Sequence, residues 1–473
     1  MARVVTRAVG DSQGGRPRIA GPKRLVMLEL HDRLGARCRP PALHTPHYRA
    51  TRISSNLVLG THGVAVEGKC VEIMLKVASR MNRLGTESAF EVLAKAQALA
   101  AAGKSIVNLC IGQPDFPPPA HVIEAGQRAI AEGHHGYTPA PGILPLREAI
   151  AADLNRRFDA QVSAADVTVT PGSKVALFFA LQTLGEIGSE IIYPNPAYPG
   201  YESIIAYSGA TPVPYPLSEA TGFSFDADDV LSRITPKTRA IILNSPANPT
   251  GGVLDRGELD RLVAGLEKHP DVAVVSDEIY SRIIYDGKAH FTLLSYEQLR
   301  DRLILLDGWS KGFSMTGWRL GYAVWPTALL EHAVRLAINC HSCVNTAVQY
   351  AGIAALEGPQ DTVTAMVDAW DGRRKAIVEG LNALPGVSCT MPAGAFYAFP
   401  NTSRTGFSSA ELQSKLLAEE GVALLSGTSF GAGGEGYLRL SYATSTEQIE
   451  EALFRMKRFL LSHPKRVRAV AVA

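Results

Sequence analysis

The sequence predicts an α/β fold: a mostly parallel sheet in a large domain, with a smaller α+β domain after it. Three observations lead there. Between about residue 106 and about residue 345, short β-branched runs alternate with helix-compatible stretches, as in a parallel sheet covered by helices. Beyond that point, long helical stretches frame a few short strands. The chain has 473 residues, 46% of them hydrophobic, enough for a large core and more than one domain.

Residues 1–72 read as a disordered basic extension. They hold 12 Lys and Arg against 5 Asp and Glu, with scattered Gly14, Gly15, Pro17, Pro40 and Pro41 and no sustained periodicity. An Arg-rich, acid-poor leader resembles an organelle transit peptide, but these glycines and prolines fit an amphipathic helix badly. A translation start set too early, with the true start near Met74 or Met81, fits better. Residues 73–114 read as a separate N-terminal segment. It has a helix over 88–103 ending at Gly103 and a strand over 106–110 leading to Gly112. The large domain spans 115–345, with strands expected at 167–170, 190–193, 211–215, 240–243, 272–276 and 303–306. The small domain spans 346–463, with helices over 347–356, 361–384 and 408–420 and strands over 387–391, 396–398 and 437–441. Residues 464–473 are a basic tail, and no internal repeat is present.

Lys311 lies in the run Asp307-Gly308-Trp309-Ser310-Lys311-Gly312-Phe313-Ser314-Met315-Thr316-Gly317-Trp318-Arg319. A bare lysine is usually a solvated charge, but the neighbours Trp309, Phe313, Met315 and Trp318 argue against that here. A desolvated amine near another cation has a depressed pKa and acts as a nucleophile at neutral pH. Arg319 offers a rigid fork for a phosphate. Asp277 follows the apolar run 272–276, and the carboxyl end of a buried strand is where open α/β sheets put ligands. Asn248 sits in Asn244-Ser245-Pro246-Ala247-Asn248-Pro249-Thr250-Gly251, a turn fixed by proline and glycine. Thr170-Pro171-Gly172-Ser173-Lys174 passes from a strand through a turn to a helix start, whose unpaired N–H groups bind phosphate readily. Arg439 stands in Gly436-Tyr437-Leu438-Arg439-Leu440-Ser441-Tyr442, which alternates like a half-buried strand. Taken singly, each has a bland reading: a loop, a helix cap, an edge charge.

Taken in chain order, from about Met81 to about Leu461, the segments resemble the class I/II aminotransferases of the aspartate aminotransferase superfamily. The resemblance implies fold type I with residues 73–114 packing with the small domain, pyridoxal 5′-phosphate as cofactor, and Lys311 as the lysine that holds it as a Schiff base. It implies that Asp277 bonds the ring nitrogen, that Tyr280 and Asn248 reach the ring hydroxyl, and that Tyr198 stacks on the ring. Gly172, Ser173, Lys174 and Arg319 are implied around the phosphate. Ser310 joins them as a candidate because Gly308 stands where a phosphate-binding serine often does. Gly112, Asn248 and Arg439 are implied on the substrate side, with Arg439 clamping the α-carboxylate. Tyr137 is implied to reach the phosphate of a partner subunit, hence a homodimer. The implied reaction is transamination between an L-amino acid and a 2-oxo acid by a ping-pong mechanism, with aspartate and 2-oxoglutarate the favoured pair. Two rivals stand beside it. One is another reaction on the same scaffold, such as a β-lyase or a synthase. The other is a non-catalytic cofactor-sensing regulator that holds DNA by its basic N-terminus, although residues 1–72 show no helix-turn-helix pattern.

Bulk properties exclude other classes. With 47 Lys and Arg against 45 Asp and Glu, the net charge of +2 gives no bulk attraction to nucleic acid or membrane. No apolar run reaches transmembrane length. Six scattered cysteines without a disulfide framework fit a reducing cytoplasm. Cys340-His341-Ser342-Cys343 lacks a second ligand pair, so no metal is expected. Gly431-Ala432-Gly433-Gly434-Glu435-Gly436 fits the dinucleotide pattern, and Gly427-Thr428-Ser429-Phe430-Gly431 fits the nucleophile elbow. Neither is followed by a helix signal, so neither is read as a site.

Overall fold

A computed structural model describes residues 64–66, 69–71 and 76–464. The chain divides into two units, residues 1–75 and residues 76–473. In the first, Val64–Val66 and Lys69–Val71 form an antiparallel pair. The rest of the basic extension, with its expected disorder and the readings of its origin, lies outside the described residues, as do residues 465–473 of the tail.

The second unit is built on a seven-stranded sheet. Its strands run in the order Val167–Thr170, Gly321–Val324, Leu303–Gly308, Ala273–Asp277, Thr238–Asn244, Glu190–Asn195, Thr211–Pro216. All pairs are parallel except the two made by Gly321–Val324. The central strands read as unbroken apolar runs because both faces are covered. Their side chains alternate between two cores: Ile192, Ile241, Leu243, Val274 and Leu305 on one face, Ile191, Ile242, Val275, Ile304 and Leu306 on the other. Register brings Asn244 opposite Asp277, and Asp277 opposite Leu306, so the carboxyl ends of three strands share one edge.

The strand Gly321–Val324 was not expected from the sequence. It is four residues long and opens on a glycine, so periodicity had little to act on. Its insertion returns the chain past Arg319 to the edge where the helix Ser173–Leu184 begins.

The remaining strands are short. Tyr397–Ala398, Leu438–Ser441 and Leu425–Ser426 form an antiparallel sheet, and Val107–Asn108 pairs in parallel with Val422–Ala423. All of these except Val107–Asn108 fall in the chain between the helices Asp361–Asn382 and Thr446–Ser462. The strand expected over 387–391 is absent; only an isolated bridge joins Ser388 to Asn401. The side chain of Asn382 accepts from the Cys389 N–H at 2.8 Å and donates to its carbonyl at 3.0 Å, taking the backbone groups a ladder would use. The helix expected over 408–420 is Ser409–Lys415 followed by a π turn over Leu416–Glu420. Among the described residues, no helix is long and apolar enough to cross a membrane.

Candidate active site

At the carboxyl edge of the sheet lies a cavity of about 570 Å³. Lys311 enters it from the turn that follows Leu303–Gly308. Trp309, fully buried, anchors that turn: its indole donates to the Gly352 carbonyl at 3.1 Å, and its own carbonyl accepts from Phe313 and Met315. The Lys311 Nζ donates to the Gly112 carbonyl at 2.5 Å. Burial, then the positive charges of Arg439, Arg319 and Lys174, push its pKa down from 10.5 to about 7.

Asp277 closes the strand Ala273–Asp277. The Tyr201 hydroxyl donates to its Oδ2 at 2.7 Å, and the Ile279 N–H to its Oδ1 at 3.3 Å. The Asn244 amide holds its carbonyl at 2.9 Å. Burial raises the carboxyl's pKa, while the Tyr201 and Ile279 bonds act the other way. Three residues on, the Tyr280 hydroxyl meets the Tyr397 hydroxyl at 2.7 Å. Gly112 lies against the same tyrosine: a Cβ there would strike the Tyr397 hydroxyl.

Arg439 leaves the strand Leu438–Ser441 and is buried. It donates to Asn248 Oδ1 at 3.1 Å and to the Cys110 carbonyl at 2.5 Å, and lies 4.6 Å from the Tyr397 ring and 4.8 Å from the Phe430 ring. Its Nε is buried with no hydrogen-bond partner, and no carboxylate among the described residues forms an ion pair with it. Arg319 is alike in this. Its guanidinium donates to the carbonyls of Thr316 at 2.7 Å and Pro171 at 3.5 Å, and makes no ion pair among the described residues. It sits beside the first turn of Ser173–Leu184, whose N-cap is Gly172 with φ +89°. Only glycine fits there, because a Cβ would run into the Arg319 guanidinium. Helix N–H groups and an arginine without a counter-ion suit a phosphate.

Lys174, by contrast, is engaged. It pairs with Glu87, and the Tyr198 hydroxyl donates to the same carboxylate oxygen at 2.7 Å. Ser310 is buried in the cavity wall. Thus every residue singled out in the sequence lines the cavity except two. Gly172 lies under Arg319, and Tyr137 is 94% exposed outside the cavity.

Sequence reasoning missed Tyr201, Tyr397, Asn244 and Glu87. Tyr201 stood in the run that drew attention to Tyr198, three places on at helical spacing. Tyr397 lay in an expected strand. No local signal marked Glu87. The dinucleotide-like glycines pass through a short 3₁₀ turn, Ala432–Gly434, into Leu438–Ser441 without opening a helix. Among the described residues, no group of three His, Cys, Asp or Glu could hold a metal ion.

The family model for aminotransferase class I and II matches residues 104–456. The chain belongs to the class I and II aminotransferases. It is therefore a pyridoxal-phosphate-dependent transaminase, and its sheet is that of fold type I. This aminotransferase is 36% identical over 395 residues to the aspartate aminotransferase of Bacillus subtilis, covering 82% of this chain and 100% of that one. It is 36% identical over 361 residues to aromatic-amino-acid aminotransferase 2 of Thermococcus litoralis, covering 76% and 92%. The solved structure of aspartate aminotransferase from Thermus thermophilus with maleate superposes with a TM-score of 0.78 at 35% identity, covering 81% and 100%.

Proposed function

We propose that this aminotransferase binds pyridoxal 5′-phosphate at Lys311 and moves an amino group from L-aspartate to 2-oxoglutarate in a ping-pong sequence. The observation that carries the reading is the pair of arginines without carboxylate partners among the described residues, Arg319 and Arg439, around an amine of lowered pKa. Such a site suits a ligand set with a phosphate and a carboxylate.

The first-turn N–H groups of Ser173 and Lys174, with Ser310 and Arg319, would hold the phosphate, and Gly172 leaves room for it. Asp277, its Oδ2 held by the Tyr201 hydroxyl, would accept a hydrogen bond from the ring nitrogen; Tyr280 and Asn248 would reach the ring hydroxyl, and Tyr198 the ring face. When bound, pyridoxal phosphate supplies an aldehyde for the amine and a ring that withdraws electrons from the substrate's Cα. Arg439 and Asn248 clamp the α-carboxylate near Gly112, orienting the Cα–H bond. Lys311 then takes the Cα proton as a base and returns it as an acid, a task that suits a pKa near 7.

Aspartate is favoured by the names of the Bacillus and Thermus relatives, and by the four-carbon dicarboxylate maleate in the Thermus structure. We further take residues 73–114 and 346–463 as one small domain beside a large domain over 115–345, in a cytoplasmic homodimer with Tyr137 reaching the partner's phosphate. The test is the visible spectrum of purified protein before and after L-aspartate alone. Conversion of the cofactor band with release of oxaloacetate supports the reading. A band that ignores aspartate but responds to another amino acid replaces the donor. No band after added pyridoxal phosphate refutes the assignment.

A further inference from the structure

We propose that Glu87 is a specificity-determining residue: its carboxylate occupies Lys174 in the resting chain, so a substrate bearing a second carboxylate must displace it, while one with an uncharged side chain need not. The inference rests on the transaminase reading of the same cavity.

Four cations line that cavity: Lys174, Lys311, Arg319 and Arg439. Lys311 is the reactive amine. Arg439 lies with Asn248, and Arg319 with the helix start, each without a carboxylate partner among the described residues. Among the described residues Lys174 alone of the four is paired with a carboxylate, that of Glu87. Glu87 is put there by the segment before it. The Gly85 N–H donates to Ser203 Oγ at 2.8 Å and Arg83 Nε to the Ala206 carbonyl at 2.8 Å, laying the segment across the helix Gly200–Ser208. Glu87 then meets the cavity beside Ser88, Ala89 and Phe90, and accepts the Tyr198 hydroxyl as well.

The pair is open to exchange. The Lys174 side chain is 49% exposed and that of Glu87 26%, so water stands ready at both groups and the ion pair is weak. Apolar residues in the same cavity lining, Phe90, Ile111, Leu425 and Phe430, suit an uncharged side chain. A second carboxylate entering the cavity competes with Glu87 for one ammonium and is repelled by it until the pair opens. One cavity can thereby serve an uncharged donor with the pair closed and a dicarboxylic partner with it open.

The test titrates the full-length, pyridoxal-phosphate-loaded protein in a calorimeter with succinate and with butyrate, which match in length and differ by one carboxylate. Glu87→Gln should raise the ratio of succinate to butyrate affinity about tenfold. Lys174→Met should lower that ratio, and kcat/KM for aspartate relative to alanine should follow both variants. A Glu87→Gln ratio within about twofold of wild type, or one that falls, overturns the proposal, since the electrostatic competition predicts a larger rise. If wild-type protein transaminates no amino acid, the underlying reading fails. If it transaminates and the ratio does not move, only the role of Glu87 fails.

Discussion

Keeping an amine neutral near pH 7 costs the fold free energy, and the cost has a pH signature. Unfolded, Lys311 holds its proton up to about pH 10.5; folded, burial and three nearby cations release it at about 7. Between those values the unfolded chain binds more protons, so this residue destabilises most at and below pH 7 and less as pH rises toward 10.5. In cofactor-free protein, Lys311→Met should therefore raise the thermal midpoint at neutral pH, and its advantage over wild type should shrink on the alkaline side. A gap independent of pH would remove the lowered pKa. Asp277 makes a second case. Asp277→Asn keeps an acceptor for the Tyr201 hydroxyl, so the fold should survive, while kcat should fall by about 10²–10³ if the carboxylate faces the ring nitrogen as proposed. Unaltered turnover would leave Asp277 a structural group. Lys311, Asp277, Asn248 and Arg439 were legible in the sequence because each sits in a short run at a strand end or within a strand. Their supports were not. Tyr201 is 76 positions from Asp277, Tyr397 is 117 from Tyr280 and Glu87 is 111 from Tyr198, distances that no local pattern spans.

At the scale of elements, the sheet was legible where strands are buried on both faces and long enough to show a run. It was not where side chains or tertiary pairing decide, as at Gly321–Val324 and at residues 387–391. The support beneath the Lys311 turn is another part that local reading does not reach. Asp153, only 2% exposed on the helix Leu144–Phe158, accepts from Arg156 and Arg282 at 2.5 Å each and from Arg157 at 3.5 Å. Arg282 in turn lies 4.8 Å from the Phe313 ring in that turn. Asp153→Ala would leave Arg157 and Arg282 facing each other, both largely buried, without their shared counter-ion. The loss should be about 3–5 kcal/mol, read from the urea midpoint. A change near zero would mean that water replaces the carboxylate.

For the molecule as a whole, Tyr137 is the candidate that stands outside the cavity: it is 94% exposed, in a loop tied back where the Thr346 hydroxyl donates to the Gly136 carbonyl at 2.8 Å and the Gln349 amide to Thr138 Oγ1 at 3.1 Å. If it crosses to the partner's phosphate in a homodimer, Tyr137→Phe should weaken cofactor retention about tenfold by equilibrium dialysis, the value of a hydrogen bond to a charged group. Unchanged retention would confine Tyr137 to its own surface. The strand order carries a further consequence. Val167–Thr170, which leads into the helix Ser173–Leu184, has a single neighbour in the sheet, Gly321–Val324. Pro171 and Arg319, which meet beside that helix start, are 148 positions apart. At about 5–20 residues per second, the ribosome needs roughly 7–30 seconds to cover that span. During synthesis the first of these strands waits unpaired for a partner not yet made, and the proposed seat for the vitamin-derived group stays incomplete until nearly all of the sheet has emerged.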